Sequence, residues 1–206
     1  MDKAILSLIA ATWTQSLVSL SIIHAGLGSD EVKSFYPIDT FGLDDKKIVD
    51  EGGASRSKGD WTAQIASLDL GSNNLGAEGT AILSESRWTK LTSLNLDGNK
   101  IGDEGAASLS KAGWTQLTTF DGGWCEIGID GAASLSKAGW TQLTSLSLDG
   151  NKIGDEGTAW LSTAGWTQLK HLKLQFNNIG GKGAAKLSEA GWKQLMFLNL
   201  QRNSDG

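Results

Sequence analysis

The chain has 206 residues, 39% of them hydrophobic and 20% charged, enough apolar material for one large domain or two small ones. Glycine is frequent at 27 residues and proline occurs once, so neither a collagen-like nor a proline-rich linker reading holds. A single cysteine excludes an internal disulfide framework and a cysteine zinc site, and a net charge of −5 argues against nucleic-acid binding, which needs a basic surface.

The first twelve residues, MDKAILSLIAAT, read as an amino-terminal capping helix or as a weak signal-like stretch. Asp2 and the shortness of the apolar run favour the cap. The chain has no paired cysteines and no Asn-x-Ser/Thr acceptor, so a cytoplasmic setting is expected over a secreted one. No stretch reaches the roughly 18 apolar residues that a bilayer span requires.

From residue 13 onward the tryptophans set a period. Trp61, Trp88, Trp114, Trp140, Trp166 and Trp192 are spaced by 27, 26, 26, 26 and 26 residues. A constant period in this range marks a solenoid. Fourteen residues, GAASLSKAGWTQLT, are identical at 105–118 and 131–144. The amino-terminal third carries the pattern in worn form: Trp13 opens a short unit, and Phe35 lies 26 residues before Trp61. The expectation is eight units over 13–206, starting at 13, 35, 61, 88, 114, 140, 166 and 192, the last incomplete.

Each unit joins two periodicities. In the unit from Trp88, Leu91, Leu94 and Leu96 alternate with polar residues, the pattern of a short strand buried on one face. Asp-Glu-Gly then leads into AASLSKAG, where Ala106, Leu109 and Ala112 share a helical face and Gly113 is the expected stop. Repeated, this predicts an α/β right-handed solenoid with a parallel inner sheet and outer helices, stabilised largely between neighbouring units. Each tryptophan is read as an apolar plug between units.

The string LxxLxLxxNxIGDEGAxxL resembles the leucine-rich repeat, in particular the ribonuclease-inhibitor-like class. The resemblance implies a horseshoe whose strands line the concave face, and protein recognition as the usual role. It also implies a ladder in which Asn73, Asn99, Cys125, Asn151, Asn177 and Asn203 bond backbone groups after each strand. Ala25 and Lys46 fill that slot in the worn units, where the ladder should fail.

No catalytic or cofactor site is read from the chain. DGNKIGDEG (97–105 and 149–157) superficially matches a calcium loop, but Ile101 and Ile153 stand where an oxygen ligand is required. Cys125 lacks a base within reach, since His24 and His171 fall in distant units. It reads as a ladder residue. Neither a Ser-His-Asp grouping, a phosphate loop nor an HExxH motif occurs.

The strand residues pointing away from the core, with the two after each strand, are the candidate partner-binding surface. They include Asp69, Asp97, Asp121 and Asp149, then Trp124, Phe176 and Phe197 as anchors, with His171, Lys173 and Arg202 in the last units. Trp124 has a second reading: it could fill the void left by Gly122, which replaces a strand leucine. Trp160 falls on a helix and is expected on the convex side. Charge is lopsided, since six basic residues oppose two acidic ones over 166–206, while 1–165 carries −9.

The expected function is thus a non-catalytic scaffold that binds a protein through the concave face. The alternatives are a GTPase regulator, for which only Arg56, Arg87 and Arg202 are at hand, and a structural repeat without a single partner. The chain stops just past a strand, so self-association through an uncapped carboxy-terminal edge is a further expectation.

Overall fold

Residues 19–21, 65–86 and 88–203 are described in the structure, a computed structural model. Three-residue strands alternate with helices of seven to nine residues: β1 Ser19–Ser21, β2 Ser67–Asp69, α1 Gly76–Ser84, β3 Ser93–Asn95 and α2 Gly102–Leu109 come first. They are followed by β4 Thr119–Asp121, α3 Ile129–Leu135, β5 Ser145–Ser147, α4 Gly154–Leu161, β6 His171–Lys173, α5 Gly181–Ser188 and β7 Phe197–Asn199. The strands form one parallel sheet in chain order, and from β2 onward each residue pairs with the one 26 positions later, as in Leu68↔Leu94↔Phe120↔Leu146↔Leu172↔Leu198. The expected α/β solenoid is what the chain forms.

Strand β1 pairs directly with β2, Leu20 opposite Leu68. Trp13, Phe35, Trp61, the ladder slots Ala25 and Lys46, the segment 1–12, His24, Arg56 and Arg87 lie outside the described residues.

The tryptophans fill the core, as their spacing predicts. Trp114, Trp140 and Trp166 are almost wholly buried, and each such indole removes about 200 Å² from water, on the order of 5 kcal/mol. Trp88 stacks on Trp114 at 5.6 Å and Trp166 on Trp192 at 6.2 Å, so the plugs of adjacent units touch. The helices end earlier than expected: α2 stops at Leu109, because the turn Ala112 N–H to Leu109 O already brings the chain back toward Trp114. Ala112 nonetheless stays buried beside Ala106 and Leu109.

The asparagine ladder forms throughout the described units. The Asn151 amide donates to Gly122 O and Leu148 O, both at 2.9 Å, while its Oδ1 accepts from the N–H groups of Cys125 (3.1 Å) and Ile127 (2.9 Å). Cys125 keeps one rung, its thiol donating to Leu96 O at 3.1 Å. A second ladder is not apparent from the sequence: the hydroxyls of Thr92, Thr118 and Thr144 each donate to the carbonyl 26 residues back, at 2.9, 2.9 and 3.0 Å. Both ladders satisfy backbone groups that would otherwise be buried without partners.

Candidate functional site

Strands β2 to β6 bury their middle residue and leave the flanking two facing outward, so Asp69, Asn95, Asp121, Ser147 and Lys173 form a row across the sheet; in β7 the middle residue, Leu198, is exposed. Two residues beyond, the 26-residue spacing places Asp97 and Asp149 in a second row. The residues after these, Ser72, Gly98, Trp124, Gly150, Phe176 and Arg202, form a third. The register thus brings most of the candidate residues onto one face.

The third row has an unusual backbone. All six of its residues have positive φ, between 48° and 71°. Glycine adopts this left-handed region freely, whereas a bulky side chain there costs on the order of 1 kcal/mol. Gly98 and Gly150 are therefore the relaxed choice, and Trp124 (φ 48°) and Phe176 (φ 55°) occupy the position at a cost. Both rings are open to solvent, 55% and 44% exposed, and they meet at 5.7 Å between centroids. The ring of Trp124 lies flat across Gly150, where any Cβ would collide with it.

The void-filling reading of Trp124 is overturned. A Cβ on Gly122 would stand 2.9 Å from Phe120 Cζ, so the ring of Phe120, in the slot that Leu68, Leu94 and Leu146 hold in other units, already occupies the missing leucine's space. Trp124 is left pointing outward.

The acidic residues gather in the units before that of Phe176. Asp69 Oδ1 accepts from Gly71 N–H (3.0 Å) and the Asn95 amide (2.9 Å), and Asp121 Oδ1 from Gly123 N–H (3.0 Å). Asp149 accepts from the Gln175 backbone (2.8 Å) and side chain (3.0 Å). Asp97 sits where Gly123 has no side chain, its Oδ1 2.6 Å from the position a Cβ would take. Among the described residues no group donates a hydrogen bond to its carboxylate. Partial burial, then repulsion from Asp121, Asp149 and Asp69, pushes the Asp97 carboxyl above the usual range.

The proposed anchors do not form one cluster. Phe197 contacts His171 at 6.3 Å, and both stand at the first position of their strands, whereas Phe176 lies beyond the end of β6. Five residues along the strand direction separate His171 from Phe176, roughly 15 Å. Lys173 and Arg202 are exposed in the last units. Trp160 is on α4, 47% exposed, with Lys137 Nζ 5.7 Å over its ring. Cys125 is fully buried, and burial pushes its thiol up to about 11, the opposite of what a nucleophile requires.

The leucine-rich repeat family model matches residues 66–80, 89–110, 141–158 and 167–188. The chain is a leucine-rich repeat protein. Such repeats are in general protein-interaction scaffolds and typically non-catalytic. Among solved structures, internalin C2 from Listeria monocytogenes is similar at 17% identity over 96% of this chain and 91% of that one, with a TM-score of 0.45. A second internalin of that organism, inlF, is similar at 19% identity over 70% and 63%, with a TM-score of 0.30. No curated protein sequence matches the chain significantly. Among the described residues no helix is long and apolar enough to cross a membrane.

Proposed function

We propose that this leucine-rich repeat protein is a non-catalytic scaffold of the ribonuclease-inhibitor-like class that holds a partner protein on its sheet face. A helix after every described strand from β2 to β6 supports the class. Trp124 and Phe176 anchor the partner, the carboxylates of Asp69, Asp97, Asp121 and Asp149 meet its basic groups, and Lys173 and Arg202 fix its orientation. His171 and Phe197 add a separate contact further along.

The observation that carries this reading is the left-handed row. Large exposed aromatics persist at positions where glycine would be less strained, and strain retained at a surface points to function. The test compares capture of partners, by crosslinking and mass spectrometry, on three baits: the native chain, Trp124→Ala/Phe176→Ala, and Trp160→Ala as an exposed aromatic off this face. A partner kept by the first and third baits and lost from the second supports the reading. Equal capture by all three defeats it, as does a large fall in the melting temperature of the double variant.

A further inference from the structure

Resting on the reading that the sheet face binds a protein, we infer that its occupant is an extended segment carrying arginine, whose guanidinium lies on the Trp124 ring and pairs with Asp97. The charge of the face selects a cation. Four carboxylates lie in the units before that of Phe176, and Asp97 is the one whose oxygens receive no hydrogen bond from the described residues. It is held half-buried among three like charges, so a bound cation relieves repulsion that the free protein must carry.

The aromatic pair selects the shape of that cation. Trp124 rests on Gly150 and leans on Phe176, which leaves an indole surface open to solvent in a fixed orientation. A planar guanidinium stacks on such a surface and still presents two parallel N–H groups to a carboxylate, while an ammonium gives up one of these interactions. Gly123 makes the room: without a side chain, it admits the Asp97 carboxylate against the residue that precedes Trp124. From the unit of Phe176 onward the face turns basic, with Lys173 and Arg202 exposed. A cation is therefore repelled past Phe176 and drawn toward Asp97, which fixes the direction in which the segment lies.

The experiment selects twelve-residue peptides displayed on phage against the full chain. A selected peptide is then remade with each arginine as lysine or as uncharged citrulline, and binding is read by fluorescence polarisation. The selection should enrich arginine. Citrulline should weaken binding by tenfold or more, with lysine intermediate. Trp124→Ala/Phe176→Ala should weaken it about a hundredfold and Asp97→Asn about tenfold. The melting temperature of Asp97→Asn should be unchanged or higher, so that variant cannot lose binding by unfolding. Binders that need Trp124 but carry no cation, or tolerate citrulline, overturn this inference and leave the protein-binding face standing. Binders indifferent to Trp124 and Phe176 overturn both. A selection that yields no binder overturns the inference.

Discussion

Phe120 and Gly122 exchange volume across one strand, and a double-mutant cycle measures that exchange. Other units place leucine at both positions, as in Leu94 and Leu96 or Leu146 and Leu148. Phe120→Leu would empty the space above Gly122 and lose a ring pair with Trp140, now at 5.1 Å and 58°. A small cavity and a lost aromatic contact together cost about 2 kcal/mol. Gly122→Leu would drive its first carbon to 2.9 Å from Phe120 Cζ and 3.4 Å from Leu148 Cδ2, an overpacking penalty of about 3 kcal/mol. Phe120→Leu/Gly122→Leu restores the pattern of the neighbouring units and should cost about 2 kcal/mol, leaving a coupling of about −3 kcal/mol. Urea unfolding of the four proteins, monitored by circular dichroism, gives these differences when the slopes agree. Additivity, with the double variant near 5 kcal/mol, would mean that the ring does not fill the leucine's place, and the void-filling reading of Trp124 would return.

The ladder and the acidic row make three further outcomes testable. Asn151→Ala strips this partner from Cys125 N–H, Ile127 N–H and Gly122 O at once, while Leu148 O keeps the Asn177 amide at 2.7 Å, and should cost about 3 kcal/mol in the same unfolding assay; a loss under 1 kcal/mol would deny the ladder its role. Cys125 should resist a disulfide reagent at pH 8 in the native protein and react once urea unfolds it, so rapid native labelling would contradict its burial. Because the Asp97 carboxyl is raised above its unfolded value of 3.8, its ionisation opposes folding above that range. Asp97→Asn should therefore melt higher than the native protein at pH 7. The difference should shrink as pH falls through the folded pKa toward 3.8; a difference that grows instead would reverse the assigned cause.

The sequence exposes the fold more fully than the site because the fold repeats and the site does not. Six tryptophans at a near-constant interval, with leucines in step, specify the parallel register, and the ladder slot is legible because asparagine recurs there. The sequence pattern overextends the helix ends because AASLSKAG has no breaker before Gly113, while the return turn that ends α2 at Leu109 is set by tertiary packing. Register alone names the outward residues. It does not tell where Trp124 points, since Gly122 suggests a void and only the three-dimensional position of Phe120 shows it filled. A signal for the left-handed row is present: Gly98 and Gly150 occupy the slot that holds Trp124 and Phe176 in the alternate units.

That alternation extends beyond one row and makes two units, 52 residues, the real structural period between Trp88 and Trp192. Units opening at Trp88 and Trp140 contribute a glycine to the left-handed row and an aspartate, Asp103 or Asp155, to the next helix. Asp103 Oδ1 accepts from Gly128 N–H (2.6 Å) and Gly131 N–H (2.9 Å) at the start of α3. Asp155 does the same for Gly180 (2.7 Å) and Gly183 (2.8 Å) at the start of α5. The receiving units have no side-chain cap of their own and carry the aromatics. A carboxylate on two free N–H groups at a positive helix end contributes about 2 kcal/mol. Asp103→Ala should therefore speed hydrogen exchange in α3, about thirtyfold for amides that open locally, while α4 keeps its protection, because Gly154 N–H is held by Asn177 O at 2.9 Å. If α3 and α4 lost protection equally, the units would be energetically alike and the two-unit period would be a feature of sequence alone. A selective loss would show that each aromatic-bearing unit is held in place by the glycine-bearing unit before it, which couples the left-handed row to the stack beneath it.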